Sequence, residues 1–318
     1  MYLTHFGLRE LPFSLTPDTH FFFACASYQE ALNTLLVAAR NGEGFIKIVG
    51  EVGFGKTLLC RKFLTTLNNG ASVNAIGTKD ASSPTDNPNA KFVTAYLPNP
   101  YLEPHSLLRA LADEFRANLG NETDQHLLLK GLTLALLDFA REGKRVLVCL
   151  DEAQAMPLES LEVLRLLTNL ETEKRKLMQV VLFGQPELNA RLKQNSVRQL
   201  RQRISFQYEL KGLSRADVAQ YLQHRLKIAG YAGDELFSAG AVRAMHRASC
   251  GTPRLLNILA HKALMLAYGE GRQQVLQKHV RAAVADTPES HGRSWNVWSR
   301  FTLALSIAGL GMSWLSLY

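Results

Sequence analysis

The feature that most constrains this chain is a glycine-rich segment set between an apolar run and a helical pattern. The segment reads Gly50-Glu51-Val52-Gly53-Phe54-Gly55-Lys56-Thr57 and fits the pattern G-x-x-x-x-G-K-[ST]. It follows the apolar run at 45–49 and precedes residues 58–67, whose apolar spacing is helical. This is the context of a phosphate-binding loop, because backbone N–H groups and a helix N-terminus must both face the phosphates.

Each part of this loop has a predicted role in binding ATP and Mg²⁺. The backbone of residues 50–57 and of Leu58 is expected to surround the phosphate chain, with glycine at the tight turns. Lys56 is expected to reach the β- and γ-phosphates. Thr57 is expected to supply its hydroxyl oxygen to Mg²⁺.

The rest of the first 210 residues predicts an α/β fold. Apolar, β-branched runs alternate with helical patterns, which is typical of a parallel sheet covered by helices. The predicted strands are 45–49, 92–97, 146–150, 178–183 and 204–208, and the clearest helices are 106–118, 126–141 and 158–171.

A second motif follows the third predicted strand. Asp151 and Glu152 come directly after the apolar run that ends at Leu150, and ligands bind at the carboxyl edge of such sheets. Asp151 fits the Mg²⁺ partner of a Walker B strand. Glu152 fits the group that orients or deprotonates the attacking water. The alternative is that the two acidic residues only form a solvated turn. The phosphate-binding (Walker A) loop at 50–57 argues against this alternative.

Hydrolysis of a phosphoryl bond also needs groups that stabilise negative charge in the transition state. Gln185 ends the fourth predicted strand and is a candidate to bind the water or the γ-phosphate. Arg254 opens a helix after Gly251-Thr252-Pro253 and is a second candidate. An arginine finger for a neighbouring subunit is expected among Arg198, Arg201 and Arg203, whose alternative role is a solvated basic face.

The predicted domain organisation has two folded parts. Residues 1–213 form the P-loop domain, and residues 214–286 form an all-helical lid that begins with Ser214 as N-cap. Residues 68–89 are rich in Asn, Ser, Thr, Gly and Pro, which predicts a flexible surface loop or a partner-contact insertion. Residues 287–299 are predicted to be a linker.

Charge is divided unevenly along the chain. The net charge is +8, but residues 1–190 carry 18 basic and 21 acidic side chains, whereas 191–318 carry 18 basic and 7 acidic ones. The basic part is suited to phosphates, a neighbouring subunit or an anionic membrane leaflet. The 47% hydrophobic content excludes a disordered chain.

The last residues predict a membrane anchor at 300–318. Residues 301–318 carry no charged side chain and would extend about 27 Å as a helix, close to the ~30 Å hydrocarbon thickness. Trp295 and Trp298 precede this segment, with Arg300 at its start. The positive-inside rule then predicts a single-pass protein of a bacterial-type inner membrane with its P-loop domain in the cytoplasm. An interfacial or core-packed helix is the alternative.

Several motifs together resemble the ExeA/GspA family of AAA+ ATPases, over roughly residues 1–285. They are the opening segment 2–13, Thr16-Pro17-Asp18, the P-loop, Leu150-Asp151-Glu152-Ala153-Gln154, Gly184-Gln185-Pro186-Glu187-Leu188 and Gly251-Thr252-Pro253-Arg254. The resemblance implies an AAA+ core with a helical lid, ATP hydrolysis, sensor roles for Gln185 and Arg254, and work in general secretion or type IV pilus systems. Within the family the sequence is most similar to members serving the MSHA pilus.

Three functions compete at this stage. The leading one is a membrane-anchored, homo-oligomeric ATPase that assembles a MSHA-like type IV pilus or a type II secretion apparatus with inner-membrane partners. The second is a nucleic-acid-associated AAA+ ATPase of the transposition-regulator or loader type, which the predicted C-terminal span disfavours, so that nucleic acid is not the expected partner. The third is an ATP-binding switch with little turnover.

Overall fold

The computed structural model describes residues 2–69, 91–117, 124–171 and 175–290. Its chain divides into two compact units. The nucleotide unit is Pro17–Lys211, and the helical unit combines the N-terminal segment through Thr16 with the chain from Gly212 onward. Nearly all of the predicted loop at 68–89, and all of the predicted span at 300–318, lie outside the described residues. Within the described residues, no helix combines the length and the apolar character needed to cross a membrane.

The described helices and strands follow one another along the chain in this order: α1 (Tyr2–His5), α2 (Ala26–Arg40), β1 (Phe45–Val49), α3 (Lys56–Asn68), β2 (Phe92–Leu97), α4 (Pro104–Glu114), α5 (Gln125–Arg141), β3 (Arg145–Leu150), α6 (Leu158–Thr168), β4 (Met178–Gly184), α7 (Glu187–Leu192), α8 (Arg198–Gln202), β5 (Ile204–Glu209), α9 (Arg215–Ile228), α10 (Ala239–Ser249), α11 (Pro253–Gly269) and α12 (Gln277–Ala285). All five predicted strands are confirmed to within one residue at each end.

The five strands form one parallel sheet in the order β2-β3-β4-β1-β5. Val49, the last residue of β1, pairs with Gly184 at the end of β4, and Leu150 at the end of β3 pairs with Leu182. Because all strands run in one direction, their carboxyl ends share one edge of the sheet. The residues that follow these strands therefore lie along one edge, although up to 160 positions, from Gly50 to Leu210, separate them in sequence.

The three central strands, β3, β4 and β1, are buried on both faces, which explains why they read as apolar runs, whereas every second residue of the edge strand β5 is exposed. Phe45 and Val148 on one face pack into a cluster that includes residues of α4, α5 and α6. Ile46 and Cys149 on the other face pack against α2 and α3. A rigid sheet clamped in this way gives the loops at its carboxyl edge a fixed base.

The helical unit contains α9–α12 and the N-terminal segment. Its first long helix begins with a full capping box, in which Ser214 and Asp217 each bond the other's backbone N–H. The assignment of residues 1–16 to the nucleotide domain is corrected here, because they belong to this unit. The side chain of Arg225 donates to the carbonyl groups of Pro12 and Ser14, and burial of Phe6 and Phe13 adds apolar contact.

The beginning of the predicted linker is also corrected. Thr287 and Ser290 are buried rather than solvated. The Thr287 hydroxyl donates to the carbonyl of Ala283, and the Ser290 hydroxyl donates to the carbonyl of Val284 at 3.0 Å. These bonds satisfy carbonyl groups at the end of α12 that the helix itself leaves free. The helical unit therefore extends at least to Ser290.

Candidate nucleotide site

The glycine-rich loop joins β1 to α3 and has the backbone conformation that its glycines predict. Gly53 has φ of +80° and Gly55 has φ of +73°, in the left-handed region that favours glycine. A Cβ at Gly50 would lie 3.0 Å from the Cβ of Leu210, so this position also needs the smallest residue. The Tyr28 hydroxyl donates to the carbonyl of Phe54 and ties the loop to α2. No motif in the sequence predicts this contact.

Lys56 is held across the loop from which it starts. Its side chain is 5% exposed, and its Nζ donates to the carbonyls of Gly50 at 2.8 Å and Glu51 at 3.1 Å. Burial lowers the pKa of Lys56, while the charges of Glu152 and Asp151 oppose this shift. An ammonium held beside the glycine-rich loop is placed to meet a phosphate chain bound by the backbone N–H groups of that loop.

Thr57 and Asp151 meet at the carboxyl edge of the sheet, as predicted for a magnesium site. The Thr57 hydroxyl donates to Asp151 Oδ2 at 2.5 Å, although 94 residues separate the two. Asp151 is 2% exposed; burial raises its pKa, and its hydrogen bonds from Thr57 and the Glu152 N–H oppose the rise. A hydroxyl and a carboxylate are hard oxygen donors, so this pair fits Mg²⁺ bound together with substrate phosphates.

Tyr96, near the end of β2, is a further neighbour of Asp151. Its hydroxyl lies 3.4 Å from the same Oδ2. Burial raises the pKa of Tyr96 to about 12, and the charge of Asp151 contributes to the rise. The phenol therefore stays protonated at neutral pH and can donate to the carboxylate. Sequence reasoning missed Tyr96, whose only signal is its position one residue before the end of an apolar strand.

Glu152 and Gln185 are brought into direct contact. Glu152 has φ of +53° in the turn after β3. Its Oε2 accepts hydrogen bonds from Gln185 Nε2 at 2.9 Å and from Gln154 Nε2 at 2.6 Å. The amide group of Gln185 thus holds the Glu152 carboxylate, and its contact with the water or the γ-phosphate stays a prediction. Gln154 was part of a recognised motif, but the sequence assigned it no role.

The remaining candidates, all arginines, take no part in these contacts. Arg198 and Arg201 are exposed on α8, and Arg203 is half-buried just after it. Within the described part of the chain, none of the three has an acidic group at ion-pair distance. Arg254 is exposed in the first turn of α11, in the helical unit. Their roles as finger and sensor stay predictions.

The fold and this edge define a class: a P-loop domain of the AAA type. The family model described as "AAA domain" matches residues 39–192, which contain β1, the glycine-rich loop, Asp151 and Gln185.

A curated relative identifies the family more narrowly. The chain is 38% identical over 283 residues to general secretion pathway protein A of Aeromonas hydrophila. The match covers 89% of this chain, and the chain therefore belongs to the ExeA/GspA family. It spans about half the length of this relative, because the match covers 48% of the Aeromonas protein.

Solved structures share the fold at low sequence identity. Cdc6p of Pyrobaculum aerophilum superposes with a TM-score of 0.60 at 16% identity, covering 86% of this chain and 69% of that one. The ORC2 protein of Aeropyrum pernix, solved as ADPNP and ADP complexes, gives 0.55 at 17% identity, covering 85% and 72%. At these identities the likeness concerns the fold alone.

Proposed function

We propose that this protein is a membrane-anchored AAA+ ATPase that hydrolyses ATP to support assembly of a type IV pilus or a type II secretion apparatus. The observation that carries the enzymatic part is the grouping of Lys56, the Thr57–Asp151 pair and Glu152 at one edge of the sheet. Each group has the chemistry that phosphoryl transfer needs, and they come from two separate places, the start of α3 and the turn after β3. The family supplies the secretion context.

In the proposed reaction the chain's own groups bind, orient and accept a proton. The glycine-rich loop and Lys56 hold the phosphates, and Mg²⁺, bound by Thr57 and Asp151, would neutralise charge on them. Glu152 orients a water molecule whose oxygen attacks the γ-phosphorus while its proton passes to the carboxylate. The bond from the γ-phosphorus to the bridging oxygen breaks, so ADP and inorganic phosphate are released.

The direct test is phosphate release by the full chain and by two matched variants. Glu152→Gln removes the proton acceptor and is expected to lower kcat at least about 100-fold while ATP binding persists, because general-base catalysis contributes about 10²–10⁴-fold. Glu159→Gln makes the same change at an exposed residue of α6 and is expected to leave kcat unchanged. Equal turnover in Glu152→Gln and the wild type would contradict the role of Glu152. If the wild type binds ATP but does not hydrolyse it, the protein would instead be an ATP-binding switch.

Membrane anchoring through residues 300–318 rests on the sequence pattern alone. The uncharged run at 301–318 and the basic flank at Arg293 and Arg300 support a single pass with the ATPase on the cytoplasmic side of a bacterial-type inner membrane. Membrane fractionation followed by carbonate extraction tests this. Release of the intact protein into the wash would contradict a spanning anchor.

The pilus assignment is the finer part of the proposal. The sequence resembles MshM, the MSHA pilus biogenesis ATPase, and the Aeromonas relative is named for general secretion. We propose inner-membrane pilus or secretion proteins as partners, and a homo-oligomer in which Arg201 or Arg203 of one subunit reaches the phosphates bound by the next. Loss of surface pili in a strain carrying Glu152→Gln is the expected phenotype.

A nucleic-acid-associated ATPase is the second candidate. The observation in its favour is the basic character of residues 191–318, together with the absence of acidic partners for Arg198 and Arg201 within the described residues. Binding of the detergent-purified full chain to duplex DNA, measured from 50 to 300 mM salt, separates the two. A steep salt dependence with tight binding, together with a soluble location, would favour the second candidate.

A further inference from the structure

Gln154 lies between two residues of the site and bonds to both. Its Oε1 accepts the backbone N–H of Gln185 at 3.0 Å, and its Nε2 donates to Glu152 Oε2 at 2.6 Å. A backbone N–H can only donate, so the amide oxygen must face Gln185 and the NH₂ group must face Glu152. The orientation of this amide is therefore fixed by its partners.

The two oxygens of Glu152 consequently differ. Oε2 accepts from Gln154 Nε2 and also from Gln185 Nε2, which occupies the two lone pairs of that oxygen. Within the described residues Oε1 has no such bond. It is therefore the oxygen of Glu152 that can take a proton from water.

The turn that carries Gln154 is built to keep this geometry. Glu152 has φ of +53°, a left-handed conformation that is unfavourable for a non-glycine residue and persists only where surrounding contacts enforce it. Ala153 and Met156 are fully buried, and Arg191 of α7 donates to the carbonyl of Met156. The turn is thus anchored on both sides of Gln154.

Gly184 provides the space that Gln154 uses. A Cβ at Gly184 would lie 3.3 Å from Gln154 Oε1 and 2.7 Å from Leu188 Cδ2. The first contact is tighter than ordinary packing, and the second would require Leu188 to move. Glycine at the end of β4 therefore leaves the Gln154 amide free of this crowding where it meets the Gln185 N–H.

We propose that Gln154 is a positioning residue for ATP hydrolysis. It holds Glu152 with Oε1 toward the attacking water and ties this carboxylate to Gln185, so that the ends of β3 and β4 present their polar groups as one unit. This inference rests on the proposed function, because it assigns to Gln154 the orientation of the group that accepts the proton.

The first experiment is Gln154→Leu in the full chain. The leucine keeps the side-chain volume and removes both hydrogen bonds. The expected result is a fall in kcat of roughly 10- to 100-fold, because Glu152 loses its fixed orientation, with the KM and the Kd for ATP changed less than about threefold. Gln207→Leu makes the same change at an exposed residue of β5 and is expected to leave all three constants unchanged.

A double-mutant cycle with Glu152→Gln decides whether Gln154 acts through Glu152. With Glu152 already replaced, Gln154→Leu is expected to lower the residual rate less than about twofold. An equal fractional loss in both backgrounds, or a loss confined to KM and Kd, would overturn the proposal. A different result would contradict the proposed function itself: a wild type that does not hydrolyse ATP, or a Glu152→Gln variant with the same kcat as the wild type.

If Gln154→Leu does not fold, Gln154→Asn answers the same question. Asparagine is polar but one methylene shorter, so it cannot span from Glu152 to the Gln185 N–H. The same selective fall in kcat is expected, with ATP binding confirming that the site is intact. A kcat within about twofold of the wild type would show that the bridge is not needed.

Discussion

The nucleotide unit and the helical unit both bury polar side chains, but they treat them differently. In the nucleotide unit, Lys56 and Asp151 are buried with pKa values shifted against their charged forms. In the helical unit, the buried guanidinium of Arg225 donates to carbonyls of Pro12 and Ser14. All three groups are hydrogen-bonded, but the shifted pKa values of Lys56 and Asp151 at the sheet edge indicate a binding site, whereas Arg225 links α9 to two carbonyls of the N-terminal segment and is a structural clamp.

The largest expected effect tests the structural half of this contrast. Arg225→Met is expected to destabilise the helical unit by about 2–4 kcal/mol, because it leaves the buried carbonyl of Pro12 without this donor and removes one of the two donors to the carbonyl of Ser14, the other being Asn257. Chemical denaturation followed by circular dichroism measures the loss. Arg243→Met, at an exposed position of α10, is the control and is expected to change stability by less than about 0.5 kcal/mol.

The next effect tests the functional half. Lys56→Ala is expected to weaken ATP binding by roughly 10- to 100-fold, which corresponds to loss of one charge-assisted hydrogen-bond group. The fold is expected to persist, because burial of the ammonium disfavours its charged form. Isothermal titration calorimetry measures the affinity, and Lys91→Ala, at an exposed lysine, serves as the control. Unchanged affinity would remove Lys56 from the site.

A third change is expected to improve stability while it impairs function. The folded-state pKa of Asp151 lies above its ordinary value, so folding favours the protonated form and this residue's contribution to stability falls as pH rises through that interval. Asp151→Asn removes the buried charge and is expected to raise the thermal midpoint at pH 7 by a few degrees, since about 1 kcal/mol corresponds to ~2–4 °C in a domain of this size. It is also expected to abolish Mg²⁺-dependent turnover. A lower midpoint would contradict this account.

The smallest effect concerns pH in the helical unit. The Tyr2 hydroxyl lies 2.9 Å from His261 Nδ1, and burial lowers the pKa of His261 while it raises that of Tyr2 to about 12. The unfolded histidine binds a proton more readily, so the stability from this pair is present above about pH 6.5 and is lost as pH falls below it.

His261→Gln should therefore reduce the drop in thermal midpoint between pH 7 and pH 5 by a degree or two. The same substitution at exposed His126 is expected to leave that drop unchanged. Identical pH profiles for the wild type and His261→Gln would show that His261 does not titrate as described.

The strands and the polar residues at the carboxyl edge of the sheet could be predicted, because they depend on local sequence motifs. A glycine-rich motif, an apolar run ending in two acidic residues, and the shared direction of parallel strands suffice to bring Thr57 near Asp151. The role of Gln154 could not be predicted, since it depends on the left-handed turn at Glu152. The predicted assignment of residues 1–16 to the nucleotide domain is wrong, because their partners, such as Arg225, lie about 200 positions away in the sequence.

The placement of residues 1–16 in the helical unit affects the order in which the chain can fold during synthesis. The nucleotide unit is one continuous stretch of sequence, from Pro17 to Lys211. The helical unit is made of two stretches, one that precedes the nucleotide unit in the sequence and one that follows it. During synthesis the nucleotide unit can fold as soon as it leaves the ribosome, because domains generally fold in the order in which they emerge. Tyr2 and Pro12 must wait for α11 and α9, which carry their partners His261 and Arg225, so this segment is translated before the nucleotide unit but reaches its native contacts after it.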